Sequence, residues 1–236
     1  MLPAPYYEDE LVQLYQGDAL DILAELGPGD VDHVVTDPPY QTTGTSWATK
    51  ASSWADTMNT AHWFTTWYRH VARILPEHGS FWSCCNWRTL PIVQRAAHDA
   101  RLDITSVAVW HKDAIRTGSP RGLRADHELI AIMAKAGFRI TDRSAGDVWT
   151  IKTGTRKPHG HPAEKPVALP ARILELIQAV PGQTILDPFA GSGTTAEAAK
   201  RRGHRVIAIE ADATWCQTIA TRLAAVPAPA HDRDSP

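Results

Sequence analysis

The chain has 236 residues, in which 24 Lys and Arg face 26 Asp and Glu. The resulting formal charge of −2 excludes a globally basic nucleic-acid coat, so any contact with DNA or RNA has to come from a local patch. Hydrophobic residues at 43% and charged residues at 21% describe an ordered globular chain; three cysteines cannot build a disulfide framework, MLPAPYYEDE lacks the basic start and apolar run of a signal peptide, and no stretch approaches the ~20 apolar residues that cross a bilayer, which together point to the cytoplasm.

Short apolar segments then alternate with helix-length periodic ones. The sequence predicts a strand over Leu11–Gln16, a helix over Ala19–Leu26 and a strand over Val31–Thr36. A helix over Ala61–Leu75 with Thr60 as N-cap, a strand over Ser80–Cys85 and a helix over Thr89–Arg101 with Pro91 in its first turn follow. Strands at Ile104–Trp110 and Glu128–Ala134 precede a helix over Val167–Val180, in which Ile173, Leu174, Ile177 and Val180 share one face. Strand Thr184–Leu186, helix Thr194–Arg202, strand Arg205–Glu210 and helix Ala213–Ala225 complete the pattern. Seven strands with helices between them read as a single α/β domain over residues 1–226, built on a mostly parallel sheet. Loops at 41–59, 112–126 and 137–164 are long enough to be functional, and PAPAHDRDSP at 227–236 has the composition of a disordered tail.

Two segments carry chemistry. In ILDPFAGSGTT, Ile185–Thr195, a buried strand runs through a turn holding Gly191 and Gly193 into a helix; such a turn lets backbone approach a ligand closely and aims the first helical N–H groups at an anion. Glu210, ending the next strand, stands where doubly wound folds bind ribose hydroxyls. In VVTDPPY, Val34–Tyr40, an apolar strand ends in an acid, two prolines that fix the backbone, and an aromatic ring. That combination suits a rigid pocket of acceptors, Asp37 and the Pro38 carbonyl, with Tyr40 as a stacking surface for a planar base.

Together these segments resemble the DNA amino-methyltransferases that use S-adenosylmethionine. DPPY, Asp37–Tyr40, is similar to their catalytic motif (Asp37, Pro38, Pro39, Tyr40), and DPFAGSGTT to their cofactor motif (Asp187, Phe189, Ala190, Gly191, Ser192, Gly193, Thr194 and Thr195). The catalytic motif comes first, as in the permuted β group, and the resemblance implies a Rossmann-like fold with helices on both faces of the sheet. HPAEKP, His161–Pro166, resembles the segment before the glycine motif, with His161 and Lys165 near the methionine end; QGDALDIL resembles the segment in which Asp18 and Ala19 meet the cofactor's adenine, and Glu210 with Ala211 completes the cofactor set beside Asp37. WHK, Trp110–Lys112, and HELI, His127–Ile130, also look familiar from this group.

The implied reaction is methylation of the exocyclic N6 of a flipped adenine in double-stranded DNA, because Asp before Pro-Pro is usual for adenine and Ser for cytosine. N4-cytosine is the close alternative; an RNA or protein amino-methyltransferase and a catalytically silent binder of S-adenosylmethionine or DNA stand behind it. A homodimer and a cognate restriction nuclease are partners the resemblance suggests, and no membrane is among them. Phosphate contacts are expected from Lys112, Arg116, Arg121 and Arg124 in one loop and from Arg143, Lys152, Arg156 and Lys157 in another; with Arg139 counted in the second, each carries a net charge of +3. Trp47 and Trp54 either close over the flipped base or anchor their loop, whereas Trp63, Trp67, Trp82, Trp87 and Trp215 are expected in the core. Cys84, Cys85 and Cys216 are expected to be buried packing residues, since the Pro-Cys pair of carbon-5 cytosine methyltransferases is absent. No metal is expected: His159 and His161 are a close pair with no third ligand at a familiar spacing.

Overall fold

The computed structural model describes residues 1–39, 54–113, 122–153, 157–177 and 179–227. Tyr40, Trp47, Arg116, Arg121, Arg156 and residues 228–236 of the tail lie outside them. In chain order the elements are β1 (Tyr7–Glu8), β2 (Val12–Gln16), α1 (Ala19–Glu25), β3 (His33–Thr36), α2 (Trp54–Ile74), β4 (Ser80–Cys85), α3 (Leu90–Asp99) and β5 (Asp103–His111). They continue with β6 (His127–Ala134), β7 (Val148–Thr150), α4 (Ala168–Leu176), β8 (Thr184–Asp187), α5 (Thr194–Lys200), β9 (Arg205–Glu210) and α6 (Ala213–Ala224). The strands form one sheet in the order β1-β2-β9-β8-β3-β4-β6-β5-β7. Five of its eight neighbouring pairs are parallel, so the sheet is mostly parallel as expected.

The period-2 alternation of each strand sorts side chains onto two apolar layers. Val35, Trp82, Ile185 and Val206 face one side and pack with Ile173 of α4, Ala196 of α5 and Ile219 of α6. Val34, Phe81, Leu186 and Ile207 face the other and meet Leu23 of α1, Trp67 of α2 and Val93 of α3. Three helices on each face leave the central strands covered on both sides, which is why HVVT in β3 and TILD in β8 are buried throughout.

Among the described residues there are nine strands, two more than the seven expected. Tyr7–Glu8 adds an antiparallel edge strand against β2, and Val148–Thr150 pairs with β5 inside what reads as loop 137–164. β7 forms because Trp149 is buried beside Trp82, with its Nε1 donating to the Gly146 carbonyl at 2.8 Å. Loop 41–59 is also shorter than expected: α2 begins at Trp54, so Thr60 sits inside the helix rather than capping it. At the other boundary α4 stops at Leu176, and Val180 lies beyond it, 58% exposed, instead of sharing the buried face of Ile173, Leu174 and Ile177. Among the described residues no helix is long and apolar enough to cross a membrane.

Candidate active site

Strands β8 and β3 are parallel neighbours, so the Gly191 turn after one and the Asp37 turn after the other leave the sheet side by side. The chain crosses from β3 to its neighbour β4 through α2 on one face, and from β8 to its neighbour β9 through α5 on the opposite face. The gap between β3 and β8 is therefore a topological switch point, where open α/β sheets form a crevice beyond the carboxyl ends of their strands. Thr36 Oγ1 ties the two strand ends by donating to Asp187 Oδ1 at 2.6 Å. Burial pushes the Asp187 carboxyl up to about 6, opposed by this bond and by the Phe189 amide at 3.2 Å.

A cavity of about 790 Å³ occupies the crevice. Of the fifteen positions expected to hold cofactor, only Gly193 is missing from its wall. Gly191 and Gly193 have φ of 56° and 79°, the left-handed region that glycine occupies without penalty. Gly193 instead faces α6: a Cβ there would stand 3.1 Å from Ile219 Cγ2, so glycine is required by helix packing rather than by the cavity. The Glu210 carboxylate accepts from the Gly191 amide at 2.8 Å and the Asp212 amide at 3.0 Å, which fixes it at the mouth of the turn; burial raises its pKa. The Ala211 amide also bonds it, and as a carboxylate offers about four acceptor sites, about one remains for a hydroxyl. Asp18 caps α1 through the Leu20 amide at 2.7 Å, and the His161 ring packs edge-on against Trp215 with centroids 4.5 Å apart.

At the catalytic end, Asp37 lies between β3 and the segment that precedes α4. Lys165 Nζ is 2.5 Å from Asp37 Oδ2 and 3.0 Å from Glu128 Oε2. The other Glu128 oxygen, Oε1, pairs with Lys112 Nζ at 2.5 Å. Burial works to raise the Glu128 carboxyl, but the two ammonium groups outweigh it and hold it at about 2. Asp37 is raised instead, by burial against which Lys165 pulls, and its Oδ1 is buried without a hydrogen-bond partner among the described residues. The Cys84 thiol beneath is driven well up, first by burial and then by the Asp37 carboxylate, and burial pushes Cys85 to about 12 and Cys216 to about 11. None of the three is a thiolate near neutral pH, which suits packing rather than nucleophilic attack.

A family model described as a DNA methylase, N6_N4_Mtase, matches residues 31–221. The chain belongs to this DNA methylase family. Its relatives include the type II methyltransferases M2.DpnII of Streptococcus pneumoniae, 26% identical over 95% of this chain and 94% of its own, and M2.MboI of Moraxella bovis, 25% identical over 87% and 86%. Among solved structures, the cytosine-N4-specific PvuII DNA methyltransferase superimposes with a TM-score of 0.79 at 17% identity, covering 93% of this chain and 88% of its own. TTHA0409 of Thermus thermophilus, solved with S-adenosyl-L-methionine, gives 0.74 at 24% identity, covering 91% and 94%. At those identities the two structures establish the Rossmann-like methyltransferase fold. The family's methyl donor is S-adenosylmethionine, and the residues of this DNA methylase fit it: a glycine turn in left-handed conformation, a fixed carboxylate beside it and an elongated cavity reaching Asp37.

Several residues of this DNA methylase that the sequence left without a role hold the cradle in place. Arg222 of α6, with 4% of its side chain exposed, reaches under the glycine turn. Its Nη1 donates to the Ser192 carbonyl at 2.8 Å, its Nε to Glu197 Oε2 at 2.5 Å, and Glu164 Oε1 lies 3.5 Å away. Glu164 in turn meets His159 Nδ1 at 2.8 Å, which gives the His159 ring a structural partner. Among the described residues no group of three metal-ligating side chains is found. The signal for Arg222 is faint but present: it follows Cys216 and Ile219 on the buried face of an amphipathic helix, where a cation needs partners.

The basic residues expected on DNA are scattered. Lys112 and Lys157 line the cavity; Lys112 pairs with Glu128 as described, and Lys157 Nζ donates to the Glu164 carbonyl. Lys152 is exposed and pairs with Asp113 at 3.4 Å, and Arg124 is exposed at the start of the strand that brings in Glu128. Arg143 is exposed two residues from Thr141, whose hydroxyl donates to the Leu176 carbonyl at the end of α4 remote from the pocket-lining Leu169. The tryptophans divide too. Trp67 and Trp82 are core, Trp63 and Trp215 form cavity wall, and Trp87 is a correction, being 64% exposed just past β4. By strand register Thr36 pairs with Ser83, so Trp87 follows the end of the neighbouring strand, beyond the level of Asp37. The Arg88 guanidinium stacks over its ring at 4.5 Å. Asn86 Oδ1 accepts from the amides of Arg88 and Thr89, both at 3.0 Å, so Trp87 is displayed on a pinned turn.

Proposed function

We propose that this DNA methylase transfers the methyl group of S-adenosylmethionine to the exocyclic N6 of an adenine extruded from duplex DNA. The observation that carries the reading is Asp37: one carboxylate oxygen is tied by Lys165, and the other, Oδ1, is buried at the cavity with no hydrogen-bond partner among the described residues. A buried carboxylate oxygen without a donor is costly, and an aromatic amine supplies the missing donor.

An amino group conjugated to a base is a poor nucleophile because its lone pair is delocalised. Asp37 Oδ1 and the Pro38 carbonyl would each accept one N–H, drawing the nitrogen toward tetrahedral geometry and freeing the lone pair for in-line displacement. When bound, the cofactor supplies an electrophilic methyl on a sulfonium. Asp18 and Ala19 would hold its adenine end, Glu210 and Ala211 its ribose, and the turn from Asp187 to Thr195 with His161 its methionine end. Tyr40 would stack on the target base. The surplus proton leaves a strongly acidic nitrogen, so no dedicated histidine base is needed.

Duplex DNA would lie across the rim that carries Trp87, Arg88 and Arg124, with Arg116, Arg121, Lys152 and Arg156 as further phosphate ligands. An exposed ring with a guanidinium stacked on it suits insertion beside the gap left by the extruded nucleotide. Asp at the first position of the motif supports adenine over cytosine. The test is to incubate the protein with methyl-labelled S-adenosylmethionine and plasmid DNA, and to identify the labelled nucleoside by mass spectrometry. N6-methyldeoxyadenosine is expected; N4-methyldeoxycytidine would overturn the base assignment, and label in RNA or protein alone would overturn the substrate.

A further inference from the structure

Lys112 belongs to a basic loop by sequence, yet its side chain is only 11% exposed and sits inside the cavity wall. Four charges there form an alternating line. Lys112 meets one oxygen of Glu128, Lys165 meets the other and passes on to Asp37 Oδ2, and Asp37 ends the line with Oδ1 buried and without a hydrogen-bond partner among the described residues. The line joins four separate segments: the end of β5, β6, the stretch before α4 and the tip of β3. Both ammonium groups also lie over the Trp110 ring, at 5.3 and 5.9 Å from its centroid. Trp110 is locked by Nε1 donating to the Ile151 carbonyl at 2.8 Å.

We propose that Lys112 and Glu128 are positioning residues for the methyl transfer, holding Lys165 on one oxygen of Asp37 so that the other oxygen is left to the target amine. The proposal rests on the reading that Asp37 accepts the amine. A flexible ammonium beside a carboxylate can bridge both oxygens and occupy the one the substrate needs. Glu128 prevents this by pulling the ammonium from the opposite side at 3.0 Å. Lys112 pairs with the other Glu128 oxygen and so offsets the pull of Glu128 on Lys165. The four formal charges cancel, so the line brings two carboxylates into a buried site without net charge, and removing one member leaves a buried charge uncompensated. Among the described residues the groups facing Asp37 are Lys165, Glu128, Lys112, the thiols of Cys84 and Cys85, and the Asp187 carboxyl. The thiols stay neutral near pH 7, and Asp187, raised to about 6, titrates alike in the wild type and in the variants below, which leave it in place.

The experiment follows the Asp37 carboxyl by carbon-13 NMR against pH, assigned with Asp37→Asn, in the wild type, Lys112→Met, Lys112→Arg and Glu128→Gln. The rate of a single methyl transfer to DNA at saturating S-adenosylmethionine is measured over the same pH range. In Lys112→Met the loss of a cation should move the Asp37 midpoint up, carry the acidic limb of the rate profile with it, and slow transfer near neutrality on the order of tenfold or more, with the cofactor's Kd unchanged. Lys112→Arg should restore both. Glu128→Gln removes an anion and should move the midpoint down, the opposite direction. General loosening of the site would move both variants the same way and would not be rescued by arginine. An Asp37 midpoint unchanged in Lys112→Met and Glu128→Gln, or a weaker cofactor Kd as the sole effect, would overturn the proposal. If the wild type transfers no methyl to DNA, the functional reading fails while the NMR midpoints still decide the charge line.

Discussion

Replacing Arg222 by Met removes a cation that four groups under the glycine turn depend on. The guanidinium is 4% exposed, and Glu197 and Glu164, with side chains 11% and 4% exposed, sit against it. Breaking a buried ion pair by deleting one partner costs about 3–5 kcal/mol, because the remaining charge keeps its desolvation penalty. Each carboxylate retains a second partner, Arg201 at 2.8 Å for Glu197 and His159 at 2.8 Å for Glu164, which places the loss at the lower end, about 3 kcal/mol. In a chain of this size that lowers Tm by roughly 6–12 °C. Urea denaturation of Arg222→Met against the wild type reads the number directly. Arg201→Met is the control, since that side chain is 52% exposed and its pair with Glu197 is worth at most ~1 kcal/mol. Loss of the bond to the Ser192 carbonyl should also weaken binding of S-adenosylmethionine measured by calorimetry. A cost for Arg222→Met no larger than for Arg201→Met would refute the buried-anchor reasoning.

Other outcomes follow from single contacts. Gly193→Ala should lose about 1–3 kcal/mol by the same denaturation assay, because its φ of 79° is left-handed and the new Cβ meets Ile219 at 3.1 Å. Trp87→Ala should weaken duplex binding and slow transfer while leaving Tm unchanged, and a target base already unpaired by a mismatch should restore the rate; a deficit that persists on the mismatched duplex would remove Trp87 from base extrusion. Glu128 titrates lower in the folded chain than its ordinary 4.5, at about 2, so it contributes stability that is complete above pH 4.5 and drains away as pH falls toward 2. The Tm difference between wild type and Glu128→Gln should therefore shrink over that window, and a difference that grows on acidification would reverse the assignment.

What was legible in the sequence follows from how local each signal is. Parallel strands buried on both faces are written as short Val/Ile-rich runs, and VVT, VIAIE and TILD gave their positions to within two residues. Glycine and proline turns are equally local, and so the two motifs could be matched to one cleft. β7 was not legible, because three residues with one inward tryptophan carry no periodicity, and Trp149 is recruited by Trp82 from another strand. Trp87 illustrates the converse: adjacency to a buried strand suggested core, but the Asn86 turn rotates it to the rim. The charge line around Asp37 was hidden for a different reason. Lys112 was expected on DNA phosphate, Lys165 beside the cofactor's methionine end and Glu128 only at a strand end, and the antiparallel pairing of β5 with β6, in which Trp110 meets Glu128, sets them together. A sequence signal exists in WHK and HELI, which put a lysine and a glutamate at facing strand ends.

The most direct test of the shared cleft pairs two readings on Asp37→Ala: the Kd for S-adenosylmethionine and the rate of a single methyl transfer from the bound cofactor to target DNA. Cofactor binding close to wild type with transfer abolished is the expected result, since in the proposed reaction the carboxylate would accept the amine and the glycine turn would hold the donor. Transfer at a rate near wild type would contradict it.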